Sequence, residues 1–156
     1  MTPETLPVDY VIKRRDIVKA ARAWIGAPYK HQGRTRNGLD CVGLLVAVAR
    51  DVGHPVNAPE AYSDTPQGWQ LIKPCEEQLW RPARQNRLIP GDLAVFTGWH
   101  RNEPQHFAFI GNHENGMTII HSFSKFGAVV EQPWSRFWNH NFKVLYVLPG
   151  TEEEHR

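Results

Sequence analysis

Leu39-Asp40-Cys41-Val42-Gly43-Leu44-Leu45 places a cysteine directly after a helix-capping residue type and ahead of an apolar run. Asp40 suits an N-cap, because its carboxylate can accept backbone N–H bonds at a helix start. Val42, Leu44, Leu45, Val46, Ala47, Val48, Ala49 and Val52 follow, and Gly53 is a fitting stop. The run is apolar almost all round, so it predicts an internal helix with Cys41 on its first turn. There the unpaired N–H groups favour thiolate over thiol, and they can hold the oxyanion formed when a thiolate attacks a carbonyl. Position alone is equally compatible with a buried structural cysteine.

Upstream, the loop His31-Gln32-Gly33-Arg34-Thr35-Arg36-Asn37-Gly38 is rich in glycine and cations. Before it, residues 16–26 read as an amphipathic helix with Asp16 as cap. Ile17, Ala20, Ala21, Trp24 and Ile25 form its apolar stripe, Gly26 its end, and Pro28 blocks continuation. Residues 1–15 read as an N-terminal arm. Downstream, Pro55, Pro59, Pro66, Pro74, Pro82 and Pro90 divide residues 54–90 into short pieces, a cover segment with helix over Gln70 to Trp80 that Pro74 starts or kinks. From the Pro90-Gly91 turn the pattern is one of strands: 92–96, 106–111, 117–123, 128–131 and 142–148, with a helical turn over 134–138. Residues 151–156 form a charged tail expected to fray. Helices first and an antiparallel meander after predict an α+β fold, one domain over residues 16–150.

The chain has 156 residues, 41% of them hydrophobic, with six Trp and seven Phe, enough for one substantial core. A net charge of +2 argues against a nucleic-acid surface. Pro3, Glu4, Pro7, Lys13, Arg14 and Arg15 interrupt the N-terminal stretch, so neither a secretory signal nor a membrane span is expected there. Two cysteines, Cys41 and Cys75, make no disulfide framework and fit synthesis in a reducing cytoplasm.

A thiol nucleophile needs a base, and the base an orienting group. His106 opens the second strand, on one face with Ala108 and Ile110, and His121 lies near the end of the third. A two-residue turn at Asn115-Gly116, the strongest local hairpin signal, sets His121 opposite Ile110 and away from His106. A four-residue loop over Asn112 to Asn115 sets the two histidines opposite each other. A shared site therefore predicts the longer loop, or a bulge near Gly111. The histidine spacings match no tight zinc pattern, so no metal and no cofactor is expected.

Gly26-Ala27-Pro28-Tyr29, the Gly33 loop, Asp40-Cys41-Val42-Gly43-Leu44, Pro90-Gly91-Asp92-Leu93-Ala94-Val95-Phe96, His106 with its alternating apolar residues and Gly111, and His121 together resemble the NlpC family of papain-like cell-wall cysteine peptidases. The resemblance spans about residues 16–148. It implies a papain-like fold, with the nucleophile helix packed on an antiparallel sheet of about five strands. It implies a triad of Cys41, His106 and His121, with His106 as base and His121 neutral, and Tyr29 lining the cleft beside the oxyanion. The activity implied is that of a cysteine endopeptidase acting on peptidoglycan stem peptides, at the bond between D-Glu and the diamino acid. Arg34, Arg36 and Arg101 are candidates to meet stem carboxylates. Val42 stands where the family usually has Ser, and Gln32-Gly33 where it usually has two glycines. Both departures resemble the branch carried by tailed phages and gene-transfer agents, which implies tail-tip protein partners and delivery to the wall by a particle. The alternative is an idle tail-tip plug that keeps the fold but does not cut.

Overall fold

The computed structural model describes residues 11–59, 61–62, 68–97 and 104–152. Among the described residues four helices, α1 (Arg14–Arg22), α2 (Cys41–Asp51), α3 (Gly68–Gln78) and α4 (Arg136–Asn141), accompany seven strands. β1 (Arg34–Thr35) and β2 (Gly38–Leu39) form a small hairpin within the glycine loop. β3 (Leu93–Thr97), β4 (Pro104–His113), β5 (Gly116–Phe123), β6 (Ala128–Pro133) and β7 (Phe142–Tyr146) form one antiparallel sheet in the order β6-β5-β4-β3-β7. The α+β expectation and its five-stranded sheet hold. The meander does not run to the end, because β7 returns past the sheet to pair with β3.

Alternation along the strands gives the sheet two buried faces. Leu93, Val95, Phe107, Phe109, Ile120, Val129, Val144 and Tyr146 pack against α1 and α2, whose Ile17, Ala21, Leu44 and Val48 are almost wholly enclosed. Ala94, Phe96, Ala108, Ile110 and Ile119 pack on the other side against Trp138 of α4, with Trp134, Phe123 and Phe142 around them. α2 is internal because it has no polar stripe to give to water.

The cover segment is part of the first core rather than a layer laid over it: Val56, Cys75 and Leu79 are all buried there. α1 begins two residues earlier than Asp16, with Lys13 at the cap and no side-chain capping bond. Ile25 of its expected stripe is exposed, while Val18 is buried. The end of the expected arm is anchored too. Ile12 is buried and bridges Thr151, Glu152 N–H donates to the Ile12 carbonyl, and the Glu152 carboxylate accepts from Arg14 N–H at 2.9 Å. Thr151 and Glu152 are therefore held rather than frayed; residues 1–10 and 153–156 lie outside the described residues. Among the described residues no helix is long and apolar enough to cross a membrane.

Pro90-Gly91-Asp92 ties these pieces together. Asp92 is fully buried and accepts from Arg14 Nη1 at 2.8 Å, from both Arg84 Nη atoms at 2.8 and 2.9 Å, and from Ile89 N–H at 2.8 Å. One carboxylate thus joins α1, the cover segment and the first strand of the sheet.

Candidate active site

Cys41 is the first residue of α2, and Asp40 is its cap as expected, accepting Gly43 N–H at 2.8 Å. That bond satisfies one of the orphan donors at the helix start and contributes about 1 kcal/mol. The approach to the cysteine is packed so closely that side chains are excluded. A Cβ on Gly43 would lie 2.2 Å from the Gly33 carbonyl oxygen, and one on Gly33 would lie 2.2 Å from that of Gly38. The first glycine of the family's pair is Gln32 here, and Gln32 keeps a left-handed backbone at φ 61°. Its N–H donates to Asp40 Oδ2 at 2.8 Å, and its side-chain amide donates to the Tyr62 carbonyl at 2.6 Å. The Tyr62 hydroxyl donates to the same Asp40 oxygen. Asp40 therefore fastens the glycine loop and the cover segment to the helix start. Tyr62 and Gln32 were not legible as part of this cluster, because nothing in their spacing marks them.

β4 and β5 are paired from His113↔Gly116 to Phe109↔Ile120, and the ladder stops there. Beyond it, the Phe107 N–H points at the Cys41 sulfur, as do the N–H groups of Val42 and of Cys41 itself. The helix start thus enters where the two strands part. Cys41 keeps partial exposure, whereas Cys75 is buried.

The hairpin turn is a two-residue one at Glu114-Asn115, so neither register considered from sequence is the one formed. The longer loop is not there. The observed register, carried one pair further, sets His121 level with Ala108, one step diagonal from His106. Diagonal neighbours on one face remain within reach of ring side chains. The ring centroids are 4.9 Å apart, and His106 Nε2 lies 2.7 Å from His121 Nδ1. His121 Nε2 in turn lies 2.7 Å from Gln132 Oε1. Phe96, Phe123 and Trp138 surround the two imidazoles. The structure brings His106 and His121 together and sets the Cys41 sulfur against the N–H of Phe107, the residue after His106; Gln132 was missed, since a glutamine near a strand end carries no signal of its own.

The electrostatics favour neutral groups. Burial pushes the Cys41 thiol up to about 12, helped by the negative charge of Asp40 and opposed by the three N–H groups. Burial holds His121 down to about 4, and burial together with the neighbouring ring holds His106 well below the usual histidine range. Each shift disfavours the charged form, so the thiol and both imidazoles are driven toward neutral, the direction expected for His121.

Tyr29 forms a backbone bridge with Leu39, beside the strand leading into Cys41, and its N–H donates to the Gly127 carbonyl. Arg36 stacks on Trp24 at 4.1 Å and donates to the Ala23 carbonyl, so it serves packing. Arg34 donates to the Pro59 carbonyl beside Tyr62. Arg101 lies outside the described residues. Among the described residues, no three His, Cys, Asp or Glu side chains gather as a metal site requires.

The pattern of the NlpC/P60 family matches residues 26–146. A probable endopeptidase NlpC of Escherichia coli strain K12 is 28% identical over 122 residues, covering 78% of this chain and 69% of that protein. Among solved structures, an NlpC/P60 family protein from Bacillus cereus superposes with a TM-score of 0.59 at 19% identity. That match covers 85% of this chain and 39% of the other, so the chain spans about two fifths of it. The NlpC/p60 domain of the peptidoglycan hydrolase SagA superposes at 0.54 with 23% identity, covering 86% of this chain and 97% of that one. With the matched segment running from the glycine before Tyr29 to the end of β7, this chain belongs to the NlpC/P60 family.

Proposed function

We propose that this protein is a cysteine endopeptidase that hydrolyses peptidoglycan stem peptides. The observation that carries the reading is the row of His106 and His121 on the strands where the Cys41 helix start enters, with the Phe107 N–H at the Cys41 sulfur. The family's activity and the hydrolase role named for SagA support the substrate class. As the sulfur attacks the scissile carbonyl carbon, the S–H proton passes to His106 Nδ1. The tetrahedral oxyanion is stabilised by N–H groups at the start of α2, with Tyr29 at the same rim. On collapse the C–N bond breaks and the leaving amine takes the proton from His106, leaving a thioester on Cys41. Water, deprotonated by His106, attacks the thioester, and the proton returns to sulfur as the acid departs.

The bond we assign is that between D-Glu and the diamino acid, and the route to the wall is delivery with a phage-like tail. Val42 and Gln32, at the two departures from the usual family pattern, support the tail assignment. Digestion of purified peptidoglycan, with mass analysis of the products, tests the activity and the bond together. Fragments ending in D-Glu are the expected products. Cleavage elsewhere overturns the bond, and no cleavage by freshly prepared protein whose Cys41 is reduced favours the idle plug.

A further inference from the structure

We infer that Gln132 sets the proton positions of the catalytic row, making it a positioning residue for the reaction. The inference rests on the peptidase reading for its consequence, but its proton positions follow from hydrogen-bond counting. An amide oxygen only accepts. Gln132 Oε1 lies 2.7 Å from His121 Nε2, so that nitrogen must carry the ring's proton. A neutral imidazole has one proton, so His121 Nδ1 is a bare acceptor. His106 Nε2, 2.7 Å away, must then be the donor. His106 has also spent its one proton on Nε2, which leaves Nδ1 with a free lone pair. That is the nitrogen the reaction needs as base. With an amide N–H in place of Oε1, every step inverts: His121 donates from Nδ1, His106 accepts at Nε2, and Nδ1 of His106 carries a hydrogen where a base is required.

The fold holds Gln132 in this position. β6 pairs Gln132 with Ile119 and Val130 with His121, so Gln132 and His121 are diagonal neighbours on one face. Glu131 is turned the other way and is bound to Arg22 and Thr118. Around the His121 ring, α4 contributes Trp138, β5 contributes Phe123, and β4 contributes His106, the titratable group in direct contact with it. His121 is fully buried, and Gln132 Oε1 is the one acceptor at its Nε2 among the described residues, so it decides the tautomer.

Two variants and one spectroscopic readout test this. Gln132→Leu removes the acceptor and should lower kcat by about 10- to 100-fold with little change in KM. Gln132→Glu keeps an acceptor at the same reach and should retain activity within about threefold, while its charge moves the acidic limb of the pH profile to higher pH. Equal losses in the two variants would overturn the inference. Nitrogen-15 spectra of the imidazoles should show wild-type His121 and His106 both protonated at Nε2. A proton on Nδ1 of either ring would overturn it. If the tautomers are as stated but the wild-type protein cuts no peptidoglycan, the proton positions stand and the peptidase reading fails.

Discussion

Two buried carboxylates organise this molecule, and they are held in opposite ways. Asp92 faces two guanidinium groups, Arg14 and Arg84, and its charge is neutralised where it sits. Asp40 is held by two backbone N–H groups and the Tyr62 hydroxyl, with the His31 ring 3.9 Å away and no lysine or arginine paired to it among the described residues. Each carboxylate ties separate segments to one element. Asp40 alone of the two bears on a thiol, adding its negative charge to the burial that raises Cys41. The far carboxylate is built for stability, and the near one combines anchoring with control of the sulfur.

The largest effect that sharpens this contrast should come from Asp92→Ala. It strands two cations in a nearly water-free site, and a loss of about 3–5 kcal/mol is expected in denaturant unfolding. The protein that remains folded should keep its Cys41 reactivity. A loss below about 1 kcal/mol would show that Arg14 and Arg84 find other partners.

Next in size is the pH dependence of stability. His121 titrates near 6.5 when unfolded and about 4 when folded, and His106 is shifted the same way. Between those values the unfolded chain binds more protons, so stability falls as pH drops from about 6.5 to about 4 and is fully present above that window. His121 alone contributes on the order of 2–4 kcal/mol across it. Thermal unfolding of wild type and His121→Asn over this range should show the variant with the flatter slope. Parallel slopes would contradict the buried neutral pair.

Asp40→Asn should cost only about 1–2 kcal/mol, because the side-chain oxygen can still cap Gly43. Its signature is chemical: with the negative charge gone, the Cys41 thiol falls from about 12, and alkylation at neutral pH speeds up. Slower or unchanged alkylation would remove Asp40 from the control of the sulfur. The smallest effect is expected of Gln32→Gly. Relief of the left-handed backbone offsets loss of the bond to the Tyr62 carbonyl, leaving a net change within about 1 kcal/mol by thermal unfolding.

The sequence was most legible where a local rule had no competitor. The apolar girth of α2, its Asp40 cap and the alternation of β3 to β7 all follow from side-chain periodicity, and they place Cys41 and the two histidines. It was least legible where distant segments decide. The hairpin register turned on a choice between adjacent two-residue turns, and Glu114-Asn115 prevailed over Asn115-Gly116. The anchoring of Ile12 and Thr151, the clamp of Tyr62 on Asp40 and the reach of Gln132 to His121 join residues far apart in the chain. No periodicity records such pairs.

The claim that Cys41 is the nucleophile is tested most directly by trapping it. A soluble stem-peptide ester should acylate the protein faster than water releases it, and intact-protein mass followed by peptide mapping would locate the adduct. The account predicts one acyl group per chain, on Cys41, lost in His106→Ala. An adduct on Cys75, or none on reduced wild-type protein, would contradict it.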